Sequence, residues 1–255
     1  IALERRTGRI LREAGGQPDV DFSPGPFSPR KGDTRMLVMT SETGFNRPFV
    51  WDVHTGERRV LALAGIPGDV TAWDWSSDAG QLLLCQLYQA CYQLYVYDLN
   101  TNEVTRLQHP AGVYNQGCFT IAGEIFATWQ DSTHPSRLIA LDPYTGAQTR
   151  TVLAAGPVPE GHPFQSVWFD STETGTAVTI QAWLARPEGE GPHPTILHVH
   201  GGPTAVMTDL FSPVAQAWVD HGFAYLSVNY RGSTTFGKAF EKAIWGQLGK
   251  HEVAD

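Results

Sequence analysis

An Asp followed three positions later by Thr recurs at Asp52/Thr55, Asp98/Thr101 and Asp142/Thr145, at intervals of 46 and 44 residues. Each pair closes the same local pattern. A run with period-two alternation (Arg35 to Thr40, Gln81 to Leu87, Glu124 to Thr128) follows a turn rich in Gly, Asp or Ser, and a second run (Pro48 to Val53, Gln93 to Leu99, Arg137 to Asp142) carries the Asp near its end. Alternation between turn residues predicts strands joined in hairpins. A hairpin repeated at this period is the spacing of β-propeller blades, four-stranded units that bury their faces only by stacking on neighbours. About three blades are expected here, a partial propeller. Closed propellers commonly have about four to eight blades, so more are expected upstream of Ile1.

Val50-Trp51-Asp52 resembles the dipeptide that ends a WD40 blade, yet the Gly-His partner is absent and the other repeats read Tyr97-Asp98 and Leu141-Asp142. Phe27-Ser28-Pro29 with Gly32-Asp33, and Trp75-Ser76-Ser77-Asp78 with Gly80, read as turns. Trp51, Trp73, Trp75, Trp129 and Trp168, all at strand positions, are expected in the core.

The pattern changes near residue 160. Gly156 to Pro163 holds three prolines and two glycines, which break any regular element, and divides the chain into residues 1–160 and 161–255. Beyond it, Gln165 to Phe169 and Ala177 to Ala185 alternate as strands around a turn at Asp170 to Gly175. Thr195 to Val199 is nearly continuous in apolar residues, which predicts a central strand buried on both faces. Ser212 can cap a helix with Pro213 at its first position, Phe211, Val214, Ala217, Trp218 and His221 on one face, and Gly222 at its end. A second buried strand follows at Ala224 to Val228. Strand, helix and strand make a βαβ unit, so the second part is expected to be α/β with a mostly parallel sheet.

His200-Gly201-Gly202-Pro203 lies at the carboxyl end of the first of those strands, where open α/β sheets place their ligand crevices. Two glycines let the backbone turn with its amides toward the crevice. Such an amide can bind an oxyanion. In α/β-hydrolases one oxyanion donor comes from this strand-to-helix loop and another from the residue after the nucleophilic Ser.

Pro194 to Pro203, then His221-Gly-Phe-Ala-Tyr225, Asn229-Tyr-Arg-Gly-Ser233, Phe236-Gly237 and Trp245-Gly246, resemble in order and spacing the start of the catalytic domain of the prolyl oligopeptidase family of serine peptidases, in its acylaminoacyl-peptidase and dipeptidyl-peptidase branch. The resemblance covers essentially the whole chain, since that family carries a propeller before its α/β-hydrolase domain. It implies that Gly202 offers the oxyanion amide, that His200, Gly201 and Pro203 shape the loop, and that Arg231 and Ser233 border the active site. Thr235 stands where the family usually has Gly. No Gly-x-Ser-x-Gly occurs in the chain, and the resemblance places the nucleophile, acid and His of the triad after Asp255. The 255 residues alone are therefore expected to be inactive, while the parent protein is expected to cleave short peptides, with upstream blades and a downstream catalytic half as partners of these residues. An esterase or lipase, whose His-Gly-Gly loop looks alike, and a non-catalytic propeller binding protein are the rival readings.

A formal net charge of -8 and the lack of a Lys/Arg stripe argue against nucleic acid as partner. No apolar run approaches the roughly 18 residues of a spanning helix, so no membrane partner is expected, and a cytoplasmic location is the leaning. No cofactor is implied. His198 and His200 face one side of a strand, but without a third ligand they read as loop packing rather than a metal pair. Cys85, Cys91 and Cys118 have no metal-ligand spacing and are expected to be small buried apolar residues. Peptide-end specificity and oligomeric state are left open.

Overall fold

The computed structural model describes residues 1–4, 6–15, 20–171, 177–202 and 204–255. After a short ribbon of β1 (Ala2–Leu3) and β2 (Ile10–Arg12) come three four-stranded antiparallel meanders. The first holds β3 (Phe22–Phe27), β4 (Arg35–Thr40), β5 (Arg47–Asp52) and β6 (Arg58–Val60); the second β7 (Asp69–Trp75), β8 (Gln81–Tyr88), β9 (Cys91–Asp98) and β10 (Val104–Arg106). The third holds β11 (Val113–Phe119), β12 (Ile125–Gln130), β13 (Arg137–Leu141) and β14 (Gln148–Ala154). Each repeated hairpin forms the middle pair of one meander.

The repeated Asp has a local reason. Asp52 Oδ1 accepts the amides of His54 and Thr55, both at 2.8 Å, Asp98 Oδ1 those of Asn100 and Thr101, and Asp142 Oδ1 those of Tyr144 and Thr145. These amides belong to a turn that the ladder cannot pair, so the carboxylate substitutes for a strand partner.

Stacking uses both faces of β8. Leu82 and Leu84 pack with Leu37 and Val50 of the first meander, while Leu83 and Cys85 pack with Ile125, Trp129 and Ile139 of the third. The three consecutive leucines are fully buried, each worth about 1.5–3 kcal/mol of transfer free energy. Trp51, Trp75 and Trp129 are buried as expected. Trp168 is 45% exposed, because it lies on the fourth sheet and meets Phe236 edge-on instead of entering a meander. Only Cys85 is buried; Cys91 and Cys118 sit at exposed strand positions.

The fourth sheet has the order β15-β16-β18-β17, from β15 (Gln165–Ser171), β16 (Val178–Ala185), β17 (Thr195–Val199) and β18 (Ala224–Asn229), with α1 (Pro213–Asp220) between the last two strands. Most of the expected turn before β16, residues 172–175, lies outside the described residues. The expected mostly parallel sheet is mixed: β17 and β18 pair in parallel, whereas β15/β16 and β16/β18 pair antiparallel. Strands joined by a few residues, as β15 and β16 are, can only fold back on each other, and a parallel pair needs the longer crossover that α1 supplies.

Two burial expectations are corrected. β17 is the edge strand of this sheet; α1 covers its Ile196 side, but Leu197 and Val199 are 62% and 60% exposed. In α1, Ser212 caps through its hydroxyl and Pro213 occupies the first turn, yet the buried residues are Ala215, Gln216 and Val219, while Val214 is 64% and Trp218 39% exposed. Small Ala215 lets the helix approach Ala185 and Tyr225 closely. Gln216 is buried because its amide works, donating to Ser132 and His162 carbonyls and accepting from the His162 amide. Short α2 (Lys238–Lys242) and α3 (His251–Ala254) follow β18. No helix among the described residues is long and apolar enough to cross a membrane.

Candidate active site

The parallel register sets Val199 beside Val228, so the chain leaves β17 at His200 as β18 runs on through Asn229 to Tyr230. The two exits are locked together. Tyr230 donates its hydroxyl to the His200 carbonyl, and its ring stacks on the His200 imidazole at 4.5 Å between centroids, 19° from parallel. His200 Nε2 lies 2.9 Å from Ser233 Oγ and Nδ1 3.2 Å from the Gly201 carbonyl oxygen. Burial, with His198 adding a smaller repulsion, holds the His200 pKa below the usual imidazole value despite that carbonyl.

Gly201 and Gly202 are exposed at the tip of this frame. Gly202 has φ +130°, a conformation that a side chain would strain, and a Cβ there would stand 3.2 Å from the Thr204 amide nitrogen. Among the described residues, neither glycine amide donates to a backbone carbonyl. Pro203, expected to shape the loop, lies outside the described residues.

The return of the loop is fixed from below. Asn229 Oδ1 accepts the Met207 amide at 2.7 Å while its Nδ2 donates to the Met207 carbonyl at 2.9 Å and to Gln181 Oε1. Trp183 Nε1 also donates to Met207 O, at 2.9 Å, and the Thr234 amide donates to Ala205 O. Asn229 and Gln181 are fully buried, a position that polar side chains hold only when hydrogen-bonded.

Arg231 forms a buried ion pair with Asp255, with Nη2 at 2.6 Å from Oδ1 and its own amide 2.8 Å from Oδ2. The carboxylate holds the guanidinium pKa above its usual value. His198 is not drawn into the site: its Nδ1 meets Ser227 Oγ at 3.0 Å, and its ring stacks on Tyr225. No cluster of three potential metal ligands occurs among the described residues.

The structure thus brings together His200, Gly201, Gly202 and Ser233, and sets Arg231 two residues from Ser233 with its side chain engaged by Asp255. Sequence reasoning missed Tyr230, Asn229 and Gln181. Asn229 and Tyr230 were part of the quoted motif; Gln181, a polar residue inside an apolar strand, was the available signal for a buried network.

Residues 210–255 match the model of the prolyl oligopeptidase family. The end of the chain thus resembles the prolyl oligopeptidase family. A 105-residue stretch is 33% identical to dipeptidyl aminopeptidase BIII of Pseudoxanthomonas mexicana, covering 38% of this chain and 15% of that protein. Among solved structures, a puromycin hydrolase superimposes with a TM-score of 0.75 at 19% identity over 96% of this chain and 38% of its own. Acylaminoacyl peptidase of Pyrococcus horikoshii gives 0.70 at 18%, over 87% and 35%. The fold is therefore shared with prolyl oligopeptidase family structures along nearly all of this chain, and the chain spans well under half the length of the proteins it matches.

Proposed function

We propose that these residues form part of a serine peptidase that cleaves short peptides through an acyl-enzyme made by a Ser-His-Asp triad. The three meanders, residues 1–160, are read as propeller blades that restrict access, and residues 161–255 as the opening of the α/β-hydrolase catalytic domain. The observation that carries the reading is the exposed Gly202 at the carboxyl end of β17, its φ at +130°, beside the parallel β17/β18 pairing and shortly before the segment that matches the family's model. There Gly202 donates to the oxyanion of the tetrahedral intermediate, His200, Gly201 and Pro203 shape the loop, and Arg231 and Ser233 border the site. One such donor is worth about 3 kcal/mol of barrier.

The triad is assigned outside these 255 residues, which by themselves are inert, since an oxyanion donor without an activated nucleophile has no intermediate to stabilise. The preceding meanders favour a peptidase over an esterase. A cavity of about 320 Å³, lined by Asn46, Asp69 and Leu87 on the meander side and Thr234, Thr235 and Lys238 on the other, supports access between the two parts. The dipeptidyl and acylaminoacyl names of the similar proteins suggest the substrates to try.

The test is hydrolysis by the polypeptide that carries this sequence with its natural continuation. Dipeptidyl and N-acylaminoacyl p-nitroanilides should be cleaved, and the 255 residues alone should cleave neither. Turnover of p-nitrophenyl esters with no amide hydrolysis would support the esterase instead.

A further inference from the structure

We propose that Thr235 is a specificity-determining residue whose hydroxyl latches the β8–β9 hairpin to the loop after β18 and so limits the length of peptide that is cleaved. This rests on the reading of the chain as part of a peptidase whose meanders restrict access.

Among the described residues, the hydrogen bonds that join residues 1–160 to residues 161–255 gather in two places. At the first, Ser132 is 2% exposed and fully engaged. Its amide donates to Asp209 Oδ1 at 3.2 Å, its carbonyl accepts from Gln216 Nε2 at 2.8 Å, and its hydroxyl oxygen accepts from the Phe164 amide at 2.8 Å. Gly161 packs against this turn so closely that a Cβ would stand 3.0 Å from the Ser132 carbonyl oxygen. Because the chain itself crosses between the two parts here, this place stays joined however the parts move, and it acts as a pivot. At the second, the tip of the β8–β9 hairpin meets Thr235, with no covalent link nearby.

The tip is a two-residue loop, Gln89-Ala90, beyond the last ladder pair Tyr88/Cys91, and both residues have positive φ. Their amides have no ladder partner, and Thr235 accepts both: its carbonyl takes the Gln89 amide and its Oγ1 the Ala90 amide, each at 3.1 Å. The carbonyl is there whatever residue stands at 235; the second bond belongs to this side chain. Thr235 holds φ +75°, which strains a β-branched residue and favours glycine, a residue with no hydroxyl to offer. Ala90 and Thr235 are both buried, so the bond is shielded while the parts are together and is exchanged for water when they separate. A net hydrogen bond of this kind shifts the balance between the two arrangements about fivefold.

The latch borders the cavity of about 320 Å³, whose walls include Leu87 of β8 and Thr234, Thr235 and Lys238. Ligand sites run from about 300 to 1,000 Å³, so this one has room for the end of a short peptide and not for an extended chain. The same wall reaches the glycine loop, since the Thr234 amide donates at 2.9 Å to the carbonyl of Ala205, which closely follows Gly202. A longer peptide reaches Gly202 only when the parts swing apart about Ser132, which breaks the Thr235 contact.

Two measurements on the full-length protein test the assignment. T235V keeps the size and branching of the side chain without the acceptor, and T235S keeps the hydroxyl. The readout is the ratio of kcat/KM for a peptide of about ten residues to that for a p-nitroanilide with the same N-terminal group, a ratio that a merely structural loss leaves unchanged. T235V is expected to raise it about fivefold and T235S to leave it within about twofold. An unchanged ratio in T235V, or an equal rise in T235S, would contradict the role. Hydrogen–deuterium exchange, read on the peptides that hold Gln89-Ala90 and Ser132, tests the latch without turnover. Both should be protected in the unaltered protein, and T235V should speed exchange in the first about fivefold while leaving the second unchanged. Unprotected Gln89 and Ala90 amides, or equal speeding in both peptides, would overturn the latch. An unaltered protein that hydrolyses no peptide would remove the peptidase reading, while the exchange result would still decide the latch.

Discussion

Thr235 Oγ1 accepts the Ala90 amide at 3.1 Å, tying the tip of the β8–β9 hairpin to the segment that follows Ser233. The Thr235 carbonyl accepts the neighbouring Gln89 amide, also at 3.1 Å. All three residues have positive φ, and Thr235, at +75°, stands where the family usually has Gly. The backbone there takes a conformation that favours glycine. The hydroxyl offers a compensation that glycine lacks, since Ala90 is buried and its amide would otherwise be unpaired.

T235A keeps the strained backbone and loses the acceptor, so it is expected to destabilise by about 2 kcal/mol. T235G also loses the acceptor but relieves about 1 kcal/mol of strain, leaving a net loss of about 1. Urea denaturation of the three proteins checks the order. A T235G protein more stable than the unaltered one would show that the hydroxyl contributes less than the strain that glycine relieves.

His109 gives the fold a pH dependence of known sign. The Leu94 amide donates to its Nε2 at 2.9 Å, and Nδ1 faces the Pro110 carbonyl, so the ring is neutral with its proton on Nδ1. Burial lowers its pKa. The unfolded chain therefore takes up the proton first as pH falls, and the stability present above the ordinary imidazole range declines below it. The urea midpoint should drop between about pH 7 and pH 5, and H109Q, whose amide oxygen can take the Leu94 hydrogen bond, should reduce the drop.

The repeated Asp turns act at lower pH. Asp52, Asp98 and Asp142 all have lowered pKa values, first through backbone amides of the turn they close. A depressed carboxylate contributes stability that is present above the unfolded value and is lost as pH falls through the folded one. The D52N, D98N, D142N triple variant should therefore be less stable than the unaltered protein at pH 7 and lose less further stability as the pH falls below about 4; an equal acid loss in the two proteins would rule the three turns out as its source.

Leu83 joins the second and third meanders from the middle of β8. Leu83→Ala removes a fully buried side chain and is expected to cost about 2–5 kcal/mol. A loss under about 1 kcal/mol, read by chemical denaturation, would mean that the two sheets do not share a close-packed core.

The strands were legible because alternation and turn residues are local signals, and the Asp/Thr spacing is itself the hydrogen-bonding pattern of the turn. Burial was less legible. Helix α1 carries apolar residues on two sides, and the side that packs is chosen by the close approach of Ala215 and the hydrogen bonds of Gln216, neither of which hydrophobicity ranks highly. The run Thr195 to Val199 reads as a central strand, but a strand's burial depends on what lies over and beside it, and β17 has a single neighbour here. Of the site, the glycine loop could be read from its motif. The clamp of Tyr230, His200 and Ser233 could not, because stacking and hydrogen bonding arise only when the ends of β17 and β18 meet.

The most direct measurement is labelling with a fluorophosphonate, on the polypeptide that carries these residues with their natural continuation, followed by mass spectrometry of the modified peptide. The expected result is one adduct on a serine outside these 255 residues, abolished when that serine is replaced by alanine. An adduct on a serine within them, or a folded protein that takes no label, would contradict the account.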